Sequence, residues 1–462
     1  MEVVSAPLFS LSASLITALG ASPALLAVSD DGLIAWVEKD VPLGSIHEFA
    51  SKHDWIPDKL VVAGEGEWIM PGFVDTHTHA SQFPMLGTGG QYELLDWLRN
   101  ITFPGEERFA DVAYAQRTYQ DVVRRIINCG TTTCCYYATL HLEGSKVLAD
   151  VVHEKGQRAF VGKCNMDRNS PPTYVESSPE ISVEDTQKFI QHIQEFELDH
   201  TTDQKPMIPL VQPILTPRFA ISCSDHLLAS VGHIFDASSQ TTKNNYVAHT
   251  YTSIYDHFSL LAPRTILAHG VHLTDPELDL IHMRGVGLSH CAGSNFNLRS
   301  GVASVGKWLE RGIKVGLGTD VSGGITPSIL TEIRHTSIAS KVRAMMDVPP
   351  STESSPVPVS STLQSPFTSP QGLPLPTLLY LATLGGADVC NLAHRIGTLT
   401  PGKEFDALHV SLPPGHREPR PVGESLETML ERFLFGGDDR NIRKVWVRGR
   451  LIGGTDLTLV NA

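Results

Sequence analysis

The chain has 462 residues, 41% hydrophobic and 19% charged, with a formal net charge of −14. That length suits one large domain with an accessory part, and the acidity argues against nucleic acid as a partner. No apolar run reaches the roughly 18 residues of a membrane span, and the seven cysteines, without regular spacing, fit reduced thiols in a cytoplasmic protein.

Residues 1–70 read as β-rich. The apolar stretch 7–28 has no Lys or Arg before it and follows the acidic Glu2, so β-structure is a better reading than a secretory signal. Asp31-Gly32 between two apolar runs predicts a hairpin. From 71 onward strands alternate with helices, the pattern of a parallel α/β architecture. The predicted strands cover 73–79, 130–138, 158–166, 207–215, 264–273, 285–293 and 313–320, and amphipathic stretches lie at 111–128 and 183–197. These are seven strands of a (β/α)₈ TIM-like barrel whose fifth strand end is missing between 216 and 264. Residues 347–373 are rich in Pro and Ser and predict a disordered surface insertion. The apolar segment LPTLLYLATLGGADVC reads as helix, and GKEFDALHV and NIRKVWVRGRLI read as strands. The domain reading is a barrel over 71–400 and a small β-sandwich built from both chain ends, 1–70 and 401–462.

The chemistry starts at PGFVDTHTH, residues 71–79. Side chains alternate along a strand, so His77 and His79 point the same way, with Asp75 on the same side. Two imidazoles so placed are half of a metal site. His269 follows the apolar run TILA at another strand end, where a neutral imidazole could bind metal or hydrogen-bond the attacking water. Asp320 closes GLGTD; a carboxylate there could bind metal and accept a proton from water. Arg218 and Phe219, in LTPRF, suit a flat polar heterocycle, with the guanidinium donating to a carbonyl and the ring packing on the base. Gln82, three residues after His79, has a carboxamide that both donates and accepts.

The segments PGFVDTHTHASQF, LLDWLRNITFPGEERF, GTTTCCYYATLH, LTPRFAISCS, ILAHGVHL, SHCAGSNFNL, GLGTDVSGG and FLFGGDDRNIRKVWVRGR together resemble the guanine deaminase family of the amidohydrolase superfamily, over about residues 60–453. The resemblance implies a Zn²⁺-dependent hydrolytic deamination of guanine to xanthine and ammonia. It implies that His77, His79 and Asp320 are zinc ligands and that Asp320 also accepts a proton. It further implies that His269 lies beside the attacking water, that Arg218 and Gln82 hold the purine edge, and that Phe219 contacts the ring. The family commonly dimerises, so a homodimer is expected.

One block departs from the family. After TPRF the family carries Gln-Thr/Ser-His-Ile-Ser-Glu, whose His binds zinc and whose Glu shuttles protons. Here Gln240-Thr241 is followed by Thr242, and there is no Glu anywhere from 219 to 269. The stretch from Phe219 to His269 is about fifteen residues short of the family length, by the same resemblance. Three explanations stand: a splicing or gene-model artefact, a diverged chain that lost catalysis, or a substitute histidine. His249 is the best substitute, although the nearest following carboxylate, Asp256, is seven residues on; His233 has Asp236 at the right spacing, but on a helix-like stretch. The chain is therefore expected to have impaired deaminase activity. The alternatives are a non-catalytic purine-binding or scaffold protein, or a deaminase of another aminated heterocycle.

Overall fold

The computed structural model describes residues 2–12, 15–53, 55, 59–196, 208–235, 250–346, 367–369, 371–412 and 425–460. The chain opens with five strands: β1 (Glu2–Ser12), β2 (Leu15–Val28), β3 (Ile34–Glu38), β4 (Lys59–Val62) and β5 (Glu67–Pro71). Nine short strands follow: β6 (Phe73–His79), β7 (Thr131–Tyr137), β8 (Arg158–Gly162), β9 (Cys164–Asn165), β10 (Val211–Pro213), β11 (Thr216–Pro217), β12 (Ile266–Ala268), β13 (Gly287–His290) and β14 (Lys314–Leu317). The last three are β15 (Ala407–Ser411), β16 (Ile442–Val447) and β17 (Arg450–Gly453).

The two chain ends share one sheet, in the order β17-β16-β15-β5-β1-β2-β3, with β4 also paired to β1. The strands hydrogen-bond as one branched sheet, because β1 pairs with β2, β4 and β5 at different points along its length. The hairpin at Asp31-Gly32 forms as β2 pairs antiparallel with β3. Gly32, at φ +79°, is required there, since a Cβ would lie 2.1 Å from the Arg448 carbonyl oxygen.

The barrel strands run parallel in two arcs, β6-β7-β8-β10 and β12-β13-β14, with β9 and β11 extending β8 and β10 as a further parallel pair. Helices pack outside them. The helix Val112–Asn128 is capped by Asp111, which accepts from the backbone N–H groups of Ala113 and Tyr114. It buries Ala115, Tyr119, Val122, Val123, Ile126 and Ile127, the i, i+4, i+7 pattern of one apolar face. Each such large side chain contributes about 1.5–3 kcal/mol on burial. The two arcs meet where the chain beyond β14 runs along β6: Asp320 N–H donates to His77 C=O (2.8 Å) and His79 N–H to Val321 C=O (3.2 Å).

On the opposite side, among the described residues, no strand pairs β10 with β12. A cavity of about 390 Å³ lies there, lined by Gln212, Ile214, Arg264, Ile266 and Cys390 among others. The strand end expected to be missing falls between 216 and 264, of which 236–249 lie outside the described residues. His249 and the Gln240–Thr242 stretch lie outside the described residues. Most of the Pro/Ser-rich insertion does too, but its end is anchored: Phe367 packs against Tyr380 and Leu373 is buried. No helix among the described residues is long and apolar enough to cross a membrane, and all seven cysteines are buried and free.

Candidate active site

The C-terminal ends of β6, β12 and β14 bring four metal-binding side chains together. Asp320 Oδ1 lies 3.2 Å from His77 Nε2 and 3.4 Å from His79 Nε2, and Oδ2 lies 3.6 Å from His269 Nε2. The donor atoms of His77, His269 and Asp320 all fall within 4.8 Å of one another. Asp320 and His269 have positive φ, +44° and +68°. That conformation costs a non-glycine residue about 1–2 kcal/mol. The bond from Asp320 N–H to His77 and that from His269 N–H to Ser289 C=O (2.9 Å) hold them there. Gly318 lets this strand end approach: a Cβ would sit 2.5 Å from Ser289 Oγ and 3.0 Å from His77 Cβ.

Electrostatics put these donors in metal-binding form. Burial, reinforced by the charge of His77, holds His79 well below its ordinary value, and burial likewise lowers His269. Burial opposes ionisation of Asp320, but His269, His77 and His79 together hold it below the usual carboxylate range. His269 Nδ1 lies 3.0 Å from Asn295 Oδ1. With that oxygen as acceptor, the proton sits on Nδ1 and the Nε2 lone pair faces the cluster. A donor set of imidazoles and an ionised carboxylate fits a zinc ion. The Tyr137 ring, at the end of β7, stands 4.7 Å from that of His79 and 5.1 Å from that of His77.

Beside this cluster lies a second. Arg218 follows β11 and is buried, its guanidinium carbon 5.3 Å from the Phe103 ring and 5.8 Å from the Phe219 ring. It forms a two-pronged pair with Glu106, Nη1 to Oε2 at 2.6 Å and Nη2 to Oε1 at 3.1 Å. Burial works against the guanidinium charge, but Glu106 keeps Arg218 firmly protonated. Gln82 Nε2 donates to Glu106 Oε1 (2.7 Å), and Gln82 Oε1 accepts from Ser322 N–H (3.1 Å).

All the site residues expected from the sequence converge at this rim, in two adjoining groups. Some finer expectations change. Asp75 is on the same strand face as the histidines but braces the seam instead, accepting from Thr319 Oγ1 (2.5 Å), Thr319 N–H and His77 N–H. Among the substitutes, Asp256 pairs with Arg284 (2.7 Å), and His233 is exposed on the helix Asp225–Phe235. Glu106 and Tyr137 were missed. The signals were available: an acidic pair follows Phe-Pro-Gly at a helix start, and Tyr137 ends a strand at the same level as His79.

Imidazoles and a carboxylate at the C-terminal rim of a parallel barrel, next to a held guanidinium and carboxamide, define a barrel hydrolase of small polar molecules. Residues 68–452 match the model of the amidohydrolase family. The chain is 38% identical over 456 residues to guanine deaminase of Dictyostelium discoideum, covering 93% of both chains. It is 36% identical over 450 residues to guanine deaminase of Homo sapiens, covering 93% of this chain and 91% of the relative. A crystal structure of guanine deaminase from C. acetobutylicum, with guanine bound in its active site, matches at a TM-score of 0.77 and 30% identity, over 97% of this chain and 99% of that one. The chain belongs to the amidohydrolase family and, within it, to the guanine deaminases.

Proposed function

We propose that this chain deaminates guanine hydrolytically to xanthine and ammonia, with zinc held by His77, His79 and Asp320. The observation that carries the reading is the convergence of three imidazoles on Asp320 beside the Arg218–Glu106–Gln82 group. The zinc would supply a Lewis acid that brings the pKa of water into the neutral range. The remaining roles fall to the chain. Ionised Asp320 takes a proton from the attacking water, and His269, with its Nε2 lone pair free, hydrogen-bonds that water. Arg218 and Gln82 donate to the purine edge, and the half-buried Phe219 packs on the ring.

The proton must then reach the leaving amine, and the chain has no glutamate from 219 to 269 to carry it. Lack of a general acid/base costs about 10²–10⁴-fold in rate, so turnover should fall that far below a relative with the full set. The second reading is a purine-binding protein without turnover, which the guanine deaminase relatives do not favour. The test is zinc-loaded chain incubated with guanine and with adenine, following ammonia release and purine binding. Slow release from guanine alone supports the deaminase. Binding without release supports the second reading, and neither binding nor release refutes both. A homodimer is proposed on the resemblance alone, and a cytoplasmic location on the free thiols; light scattering and fractionation test them.

A further inference from the structure

We propose that Glu106 is the positioning residue that sets purine selectivity, an inference that rests on the guanine reading. Glu106 is fully buried and spends both oxygens on Arg218, Tyr174 and Gln82. Oε2 accepts from Arg218 Nη1 (2.6 Å) and from the Tyr174 hydroxyl (2.7 Å), while Oε1 accepts from Arg218 Nη2 (3.1 Å) and from Gln82 Nε2 (2.7 Å). A carboxylate can only accept, so it decides which way both neighbours face. Gln82 must turn its NH₂ toward Glu106, leaving Oε1 for the Ser322 N–H in the loop after Asp320. The network therefore joins the ends of β6, β11 and β14 through one side chain.

Stability alone is a poor account of such a group. A buried ion pair is weak evidence for stability, because desolvation consumes most of its attraction. The pair also leaves a buried donor unanswered: Arg218 Nε has no hydrogen-bond partner. Unsatisfied buried donors are rare and call for an explanation. With both Nη groups fixed by Glu106, the Nε edge is a donor awaiting an acceptor. A purine carbonyl oxygen supplies one. The exocyclic amino group of adenine presents hydrogens instead, so donor would meet donor. Glu106, which never needs to touch the purine, thus makes Arg218 a selector for an oxo group over an amino group.

The experiment is equilibrium dialysis of radiolabelled guanine and adenine against the full-length zinc-loaded protein and its variants, with thermal unfolding recorded in parallel. Glu106→Gln keeps the shape but can present an N–H to Arg218. It should weaken guanine binding roughly tenfold or more and shrink the guanine-to-adenine preference by a similar factor. Glu106→Asp keeps the charge one methylene short, so it guards against a Gln variant that fails to fold; it should shift the preference in the same direction by less. A purely structural Glu106 would lower the unfolding temperature and leave the preference alone. That result, with wild-type discrimination intact, overturns the proposal. Wild-type protein that binds neither purine, or binds both equally, instead overturns the guanine reading, and the selectivity proposal falls with it.

Discussion

Replacing Arg158 by methionine should destabilise the protein by about 3–5 kcal/mol, the usual cost of breaking a buried ion pair from one side. Arg158 opens β8, at the barrel rim opposite the candidate site, and its side chain is 1% exposed. Its Nε donates to Asp406 Oδ2 (2.9 Å), and its Nη2 donates to Asp406 Oδ1 (2.9 Å) and Glu404 Oε2 (2.7 Å). Glu404 also accepts from Arg395 Nε (2.6 Å) and Arg448 Nε (2.7 Å). Methionine keeps the length but leaves two carboxylates short of a cation. Burial opposes the Glu404 charge, yet Arg158, Arg448 and Arg395 pull its pKa from 4.5 down to about 2. At about 1.4 kcal/mol per pH unit, the three cations stabilise ionised Glu404 by about 3 kcal/mol. A depressed pKa means this stability is present above pH 4.5 and is lost as pH falls toward 2. Urea unfolding at neutral pH and down an acid series measures both effects. The variant should start lower and lose less between pH 4.5 and 2, with guanine binding unchanged because the residue lies at the far rim. A loss below about 1 kcal/mol, well under the buried-pair range, would refute the reasoning. So would an acid slope identical to wild type.

Three further outcomes follow from the site. Gly318→Ala should cost about 1–3 kcal/mol by overpacking and weaken zinc binding, since the new Cβ presses on Ser289 and His77; denaturant melts and chelator competition read the two effects. Asp320→Asn removes the one anionic donor of the cluster and should leave the purified protein with little zinc by metal analysis. Asn295→Ala frees His269 Nδ1 and should reduce metal affinity or turnover about 10–100-fold; unchanged values for both would mean the ring needs no second anchor.

The barrel and its metal-binding face were readable because their signals are local. β6 spans Phe73–His79 as predicted, since alternation and two histidines mark the strand and its inward face together. The helix Val112–Asn128 matched its apolar period. The strands next to the gap came out shorter: the stretch read over 207–215 pairs only at Val211–Pro213, and 264–273 only at Ile266–Ala268. Strand length depends on a partner, and a lone strand's sequence does not reveal whether one exists. The order of strands in the sheet shared by the two chain ends was hidden for the same reason, since that pairing is long-range. The acidic pair that holds Glu106 was visible, but its role was not. An acidic residue beside a second one reads as surface, and only Arg218, 112 positions away, makes it a core group.

Among the described residues, β10 and β12 keep unpaired edges, so the described strands form a split ring rather than a closed hoop. A split ring has one soft direction: its two arcs can spread at the cut only by flexing at the far side, where β6 meets the chain beyond β14. The imidazoles of His77 and His79 stand on one flank of that joint and the carboxylate of Asp320 on the other. An ion bound between them would act as a rivet through the hinge, so it would have a mechanical duty besides its chemical one. Stripping it should speed amide exchange along the two edge strands, at Val211, Gln212 and Ile266–Ala268.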